Sequence, residues 1–469
     1  MNKFRSVTKK TNSRFMPIPT FAFSILISYA CSVNALSYTP GFENSTPPRK
    51  GEVAEWPKEK FKANYNFPMT VADQSNQPWM VKNPKILSER ADYYKAVLDY
   101  GLQALDGDMT NGCPQASADW FHAPWMTRGP SGREPLCGLT KERSTRAGYV
   151  YPSLTTKRQA WAVGLYNNTG GYQFGQVWKD KNNPDLTKLN FQNGSFVIKF
   201  LFVDIDKNDK EYTHLIGSPE WKAHVYLDEK ESTVIDREGK RKTKPMKLIQ
   251  IDFGVKDQRF SSTTGWIFGT FMYNNQTGEE PANWRDNLVP VGLAWGNDPG
   301  KTDSASFSEG FLSDEIKSLR STGVLFDPNK RTYFGANDRV NGPIDNPESS
   351  CLSCHGTAQV HAKKSIWQPI TPAIKNGANA PEEIRMLWFR NIKSGEPFVF
   401  TDAQLSEVSN PVGQPIEWTP PLMKEFVSTD YSLQMRMGIE NKYEEELTKK
   451  AKTPQQFKDL NMFYHKISR

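Results

Sequence analysis

The chain has 469 residues, of which 37% are hydrophobic and 24% are charged, so it can bury a sizeable core and is too long for one small domain. Five basic residues and no acidic ones lie within residues 1–35, so the formal net charge of +7 falls to +2 without them. A chain so close to neutrality gives no reason to expect nucleic-acid binding.

The first 35 residues have the pattern of a bacterial export signal. A basic stretch precedes the mostly apolar residues 15–30, and the small residues Val33 and Ala35 then form a cleavage site. We therefore expect a signal peptide over residues 1–35 and a periplasmic location. The apolar stretch is short and contains two prolines, so a permanent transmembrane helix is the weaker interpretation, and a lipid anchor at Cys31 is a minor one. No later run is apolar enough to span a bilayer, so we expect no integral membrane segment.

The spacing of apolar residues changes along the rest of the chain. Residues 84–105 carry apolar side chains at helical spacing, which predicts a helix. From about residue 120 to residue 295 the period becomes two or the runs become continuously apolar, as in residues 196–203, 249–255, 265–273 and 288–295. Several such strands with turns between them predict a β-rich domain over residues 36–345, built as an antiparallel sandwich or barrel.

Residues 341–347 combine Gly, Pro, Asn and Asp and predict a domain boundary. The part that follows, residues 346–469, is long enough for a small separate domain. Its predicted helices cover residues 381–392 and about 431–451. We therefore expect a multidomain chain in which a small all-α domain follows the β-rich one.

The most informative motif is Cys351-Leu352-Ser353-Cys354-His355 at the start of that second domain. Two thiols three residues apart can form thioethers with the two vinyl groups of one haem, and His355 can then bind the iron. The alternative is a structural zinc site, which needs a second pair of ligands at similar spacing. Cys113 and Cys137 lie far upstream and do not form such a pair, so the motif predicts one covalent haem c (heme c).

This motif, with a helix near Trp388 and a terminal helix, resembles the small helical c-type cytochromes. The upstream region is similar to an uncharacterised family of exported bacterial cytochrome c proteins. That similarity rests on residues 120–125 (WFHAPW), 265–271 (GWIFGTF) and 289–299 (VPVGLAWGNDP). The resemblance implies that the haem lies between helices, and it brings no established activity.

The resemblance also implies a methionine from a downstream loop as the sixth iron ligand. Met423 follows two prolines between the predicted helices and is the candidate that we prefer. A vacant sixth position is the alternative. The other methionines that remain open as ligands are Met386, Met435, Met437 and Met462.

Three further features are open to two interpretations each. Cys113 and Cys137 form either a disulfide, which we favour in an oxidising compartment, or two buried thiols. The histidines His122, His214 and His224 could join in a metal site, although no close pair is evident. One polar and aromatic segment could bind a polar or anionic substrate or serve only in packing and surface ion pairs. Its members are Trp120, His122, Trp125, Arg128, Arg133 and Glu134.

Two functions follow as hypotheses. The first is one-electron transfer between exported redox proteins by a monohaem c-type cytochrome whose iron ligands are His355 and Met423. The second is a haem-dependent oxidoreductase whose substrate site lies in the β-rich domain. The sequence leaves open whether the protein is an enzyme, and it does not identify the redox partners.

Overall fold

The structure is a computed structural model of the full chain. It describes residues 41–48, 52–71, 77–128, 132–205, 209–227, 240–362, 381–401, 403–404 and 424–450. The predicted signal peptide and Met423 lie outside the described residues.

Six α-helices are described: α1 (Arg90–Gly101), α2 (Asn168–Val177), α3 (Asp314–Ser321), α4 (Cys351–His355), α5 (Glu382–Met386) and α6 (Leu433–Lys450). The strands are β1 (Leu105–Asp106), β2 (Gln115–Ala116), β3 (Thr140–Lys141), β4 (Ala160–Tyr166), β5 (Phe196–Val203), β6 (Glu220–Tyr226), β7 (Arg241–Lys256), β8 (Trp266–Tyr273), β9 (Leu288–Ala294), β10 (Gly310–Leu312), β11 (Gln359–His361) and β12 (Phe426–Ser428).

One eight-stranded antiparallel sheet organises the fold. Its strand order is β10-β9-β8-β7-β5-β4-β3, and β6 pairs with the first half of β7. Strand β7 is long enough for this because it has 16 residues. The predicted strands around residues 196–203, 249–255, 265–273 and 288–295 all lie in this sheet, as β5, part of β7, β8 and β9.

Side chains at even and odd positions of the central strands point to opposite faces of the sheet. One face, which we call the α1 face, carries Phe196, Ile198 and Phe253. Helix α1 approaches it closely, since a Cβ added at Gly101 would lie 2.6 Å from Ile198 Cδ1. Glycine at this position therefore lets the helix backbone pack directly on the sheet.

The opposite face, which we call the α4 face, is also covered. Register places Lys199, Asp252 and Thr270 side by side on it, and Phe268 and Trp266 follow along β8. Helix α4 and the start of α6 pack here, so residues on both sides of the predicted boundary at 345/346 contribute to one hydrophobic core. The division into domains at that point stays a prediction.

The architecture differs from the predicted sandwich or barrel, although the predicted β-rich antiparallel character is present. Among the described residues there is one large sheet and two two-stranded sheets, β1-β2 and β11-β12. The second layer on each face comes from helices and connecting chain. Alternation along a strand reports that a face is buried and carries no information on what buries it.

The described part of residues 346–450 contains α4, α5, α6 and the β11-β12 pair, so the all-α character predicted for this part is not found among the described residues. Helix α6 lies within the predicted helix of residues 431–451. Helix α5 ends at Met386, earlier than the predicted end at residue 392. The chain beyond it packs Trp388 and Phe389 with Phe398 and Phe400 in a small second cluster, so tertiary packing sets the end of this helix.

Candidate cofactor-attachment site

The Cys-x-x-Cys-His motif forms the single turn of α4. Ser350 precedes the turn, and its Oγ accepts from Ser353 N at 2.9 Å while Ser353 Oγ accepts from Ser350 N at 2.8 Å. This reciprocal cap satisfies two backbone donors that would otherwise be left without partners. Ser350 Oγ also donates to Asn297 Oδ1 at 2.7 Å, which ties the turn to the loop after β9.

Cys351 and Cys354 are free, half-buried thiols separated by one helical turn. Burial raises the pKa of Cys354 to about 11, and burial together with the carboxylates of Asp252 and Asp345 raises that of Cys351 well above its usual value. Both side chains are therefore neutral thiols at pH 7 and are available for thioether formation.

Cys113 and Cys137 differ from this pair because the structure places them at bonding distance, with their Cα atoms 5.3 Å apart. That separation is in the normal range for a disulfide. The pairing expected from the sequence is the pairing found.

His355 is oriented by one hydrogen bond. Its Nδ1 lies 2.8 Å from the backbone oxygen of Tyr431, which can only accept, so Nδ1 carries the proton and Nε2 keeps its lone pair. Nε2 has no hydrogen-bond partner among the residues that the structure describes. Burial lowers the pKa of His355 to about 4, so the imidazole is neutral at pH 7. A neutral imidazole with a free Nε2 is the form that binds a metal ion.

The ring of His355 also packs against the sheet. Its centroid lies 4.5 Å from that of Phe268 on β8. Phe268 in turn contacts Tyr431, with a centroid distance of 6.1 Å. The aromatic side chain of the sheet and the backbone of the loop before α6 therefore hold the imidazole from two sides.

The backbone that presents the Tyr431 oxygen is strained. Asp430 and Tyr431 both have positive φ, at 49° and 67°, in the left-handed region that non-glycine residues seldom occupy. Each such residue costs on the order of 1–3 kcal/mol and persists only where its surroundings over-determine it. Here two adjacent residues carry that cost, so the surrounding contacts must hold this segment in its conformation.

The side chain of Asp430 supplies the constraint. It is fully buried, and its Oδ2 accepts from Lys256 Nζ at 2.6 Å and from Phe191 N at 2.8 Å. Its Oδ1 accepts from Trp266 Nε1 at 3.0 Å. Three donors from the sheet and the loop before it therefore fix the loop that orients His355. No sequence pattern identified Asp430, Tyr431, Lys256 or Trp266 as residues of the site.

These features fit a covalently attached haem. The two thiols are free and one turn apart, and the imidazole beside them is neutral with its coordinating nitrogen unpaired. The described residues contain no group of three or more His, Cys, Asp or Glu side chains that could hold a metal ion by themselves.

A charged row lies on the α4 face next to the motif. Lys199 stands opposite Asp252 in the register of β5 and β7, and it forms an ion pair with Glu142 at 2.9 Å. Gln250 Nε2 donates to Asp252 Oδ1 at 2.7 Å and to Asp345 Oδ2 at 3.1 Å. The alternation of apolar and polar residues over 249–255 is typical of a half-buried strand, whose polar positions face solvent. The structure instead buries Gln250 fully, because the chain around residues 342–345 covers it.

The residues that the structure describes do not test the choice of the sixth ligand. Met423 and Met462 lie outside the described residues. Met435 is fully buried in the main core, Met437 is 40% exposed, and Met386 packs against the small second cluster. The choice of Met423 therefore stays a prediction.

The polar and aromatic segment at residues 120–134 serves packing and local hydrogen bonds. His122 Nδ1 accepts from Asn64 N at 3.0 Å, and Arg133 donates to Tyr65 Oη at 2.7 Å. Glu134 is buried and accepts from four backbone N–H groups, of Leu136, Cys137, Leu139 and His224. Arg128 pairs with Glu43 at 2.6 Å. These contacts support the packing interpretation over a substrate site.

Comparisons with known proteins returned no family model that matches the chain, and no curated protein or solved structure that is significantly similar to it. Within the described residues, no helix has the length and apolar character needed to cross a membrane.

Proposed function

We propose that this chain is an exported, periplasmic monohaem c-type cytochrome that transfers single electrons between other exported redox proteins. The observation that supports this most is the state of His355. Its proton is held on Nδ1 by the Tyr431 oxygen, and its free Nε2 lies on the same turn as two unpaired thiols.

Each residue of the site then has a defined task. Cys351 and Cys354 form the two thioethers, and His355 binds the iron through Nε2. The bound haem supplies a one-electron ferric/ferrous couple. The Tyr431 oxygen orients the imidazole and increases its basicity by accepting from Nδ1. Phe268 packs against the ring, with the two centroids 4.5 Å apart.

We also propose that residues 346–469 act as the haem-bearing module, a compact form of the helical cytochrome domain. Helix α4 carries the attachment motif, and α6 begins two residues after Tyr431. Met423 remains our candidate for the sixth ligand, which would close the iron to small molecules and favour electron transfer over substrate chemistry.

Covalent attachment is tested by expressing the full chain in a bacterium that exports it and matures c-type cytochromes. A denaturing gel stained for haem peroxidase activity should show one haem that stays with the polypeptide. Cys351→Ala/Cys354→Ala should lose the stain. The matched control Cys113→Ala/Cys137→Ala also removes two cysteines and should keep it. Haem that is fully extracted by acidic acetone from the wild type would refute the proposal.

The ligation state separates the two candidate functions. In the wild type we expect a low-spin spectrum and slow carbon monoxide binding in the reduced state, and in Met423→Ala fast carbon monoxide binding. Met437→Ala, which changes an exposed methionine, should behave like the wild type. A wild type that binds carbon monoxide tightly or turns over peroxide quickly would favour the oxidoreductase instead.

One observation favours that second candidate. A cleft of about 440 Å³ lies beside Ser350, the residue that caps α4. Arg339, Asp298 and Phe311 are among its lining residues, so it offers both polar and apolar surface. A substrate bound there would lie next to the attachment turn.

A further inference from the structure

The α4 face carries a pair of carboxyl groups that share the NH₂ group of one side-chain amide. Asp252 and Asp345 both accept from Nε2 of Gln250, which is fully buried. The orientation of this amide is fixed, because Gln250 Oε1 accepts from Ile344 N at 3.1 Å. Both of its N–H bonds are therefore committed to the two carboxyl groups, one to each.

The lysine opposite Asp252 is shared and does not by itself balance the pair, and Arg143 and Arg331 act on Asp345. Lys199 is the cation opposite Asp252 in the sheet, and it is already paired with Glu142 at 2.9 Å. Three carboxyl groups thus share one lysine at the centre of this row. Two like charges held close together cannot both stay ionised at low cost, so one carboxyl group tends to keep a proton.

The groups that face the pair come from five parts of the chain. They are Lys199 on β5, Glu142 and Arg143 after β3, Thr270 on β8, Arg331 after α3, and Cys351, Cys354 and His355 on α4. Burial is the largest cause that raises the pKa of Asp252, to about 7; the charge of Asp345 adds to it, and Lys199 opposes it. A proton on Asp252 is therefore exchangeable near neutral pH.

We propose that Asp252 and Asp345 form a proton-binding site that takes up one proton when the protein takes up one electron. This rests on the proposed function. The geometry supports the coupling, because the pair lies beside the attachment turn: Cys351 Sγ is 3.9 Å from Asn341 Oδ1, and a Cβ added at the next residue, Gly342, would lie 2.2 Å from Asp345 Oδ2. A negative charge added at the attachment site raises the proton affinity of nearby carboxyl groups.

The reaction balances without a further reagent. One electron would come from a one-electron donor, a reduced redox protein or a chemical mediator, and the haem held by Cys351, Cys354 and His355 would accept it as its ferric iron becomes ferrous. One proton comes from solvent and forms an O–H bond on a carboxyl oxygen of the pair. Oxidation releases both. The haem site thereby becomes a carrier of one electron with a proton.

The test is a redox titration of the full-length haem protein with mediators between about pH 5 and 9. We expect the potential to fall by up to about 59 mV per pH unit, the value for one proton per electron, over a window that includes neutral pH. In Asp252→Asn this slope should disappear from the window. In Asp345→Asn the window should move to lower pH, because the repulsion that favours the proton is gone.

Asp314→Asn is the matched control, since it makes the same change in charge at a side chain that is 91% exposed on α3. It should keep the wild-type curve. Asp345→Asn also keeps the test decisive if Asp252→Asn does not fold. A wild-type potential that is flat near neutral pH, or a slope that survives in Asp252→Asn, would overturn the inference.

A second readout is independent of the potential. Reduction of the wild type in a weakly buffered solution with a pH indicator should consume close to one proton per electron near pH 7, and reduction of Asp252→Asn should consume far less. These results also separate the two proposals. A chain with no covalent haem refutes the proposed function, whereas covalent haem with no proton uptake refutes only the proton site.

Discussion

Asp430→Asn is the most informative single change in the described part of the chain. The carboxylate accepts hydrogen bonds from Lys256, Phe191 and Trp266, and the asparagine side chain offers one acceptor oxygen and one NH₂ group in its place. The NH₂ group would face the donors that the lost oxygen had accepted from. Lys256 would keep its charge without a counter-ion, at a side chain that is only 10% exposed.

The expected cost follows from that buried charge. Removing one partner of a buried ion pair destabilises a protein by about 3–5 kcal/mol. A folded chain of about 400 residues has an unfolding entropy near 0.9 kcal/mol/K, so the melting temperature should fall by roughly 3–6 °C. In the haem protein the same change should also perturb the spectrum, because Asp430 fixes the loop whose oxygen orients His355.

Differential scanning calorimetry at pH 7 measures the shift. The control Asp314→Asn changes an exposed carboxylate and should stay within about 0.5 kcal/mol of the wild type. The double variant Lys256→Met/Asp430→Asn removes the isolated ammonium and should recover part of the loss. The buried pair does not act as described if Asp430→Asn has the melting temperature of the control. The same holds if the losses of stability in Asp430→Asn and in Lys256→Met alone simply add in the double variant.

Two further predictions concern stability. Cys113→Ser/Cys137→Ser removes a disulfide that links residues 24 positions apart. The unfolded chain then gains entropy, so the free energy of unfolding measured with urea should fall by about 3.5 kcal/mol. Equal stability of the wild type with and without reductant would contradict this prediction. Burial lowers the pKa of His224 to about 4 and that of His122 well below 6.5, so the folded state disfavours their protonation. The stabilisation that the two neutral histidines give the folded state is intact above pH 6.5. It is lost as the pH falls below 6.5, because the unfolded state then binds more protons. The free energy of unfolding falls by about 1.4 kcal/mol per pH unit for each group. His224→Gln should flatten the decline between pH 6.5 and 4 in urea unfolding, and an unchanged slope would count against this account.

The sequence located the strands of the main sheet and the attachment motif, because both are local patterns. An apolar run such as residues 196–203 and the spacing of Cys351, Cys354 and His355 can be read without knowing what lies next to them. The constraint on His355 could not be found in this way. Asp430 is 174 positions from Lys256 and 164 from Trp266, and no local signal joins residues at such separations.

The same reason explains the error in the polar side of β7. Gln250, Asp252 and Lys256 alternate with apolar residues, and this pattern is the same whether the polar side meets solvent or another part of the chain. A physical signal was nevertheless present. Residue 256 is a lysine at the end of an apolar strand, so a carboxylate was required beside it if that face was covered.

The polar residues of the α4 face are where the fold departs most from a simple apolar core. Burying them costs free energy that apolar residues at the same positions would not cost. Lys256 is offset by Asp430, and Gln250 by Ile344 and the two carboxyl groups. Such departures from local rules concentrate at functional sites, since only function retains them against the stability that they cost. On one side of Phe268 the polar contacts orient the histidine, and on the other they hold the carboxyl pair, so the sheet connects a proposed electron site with a proposed proton site.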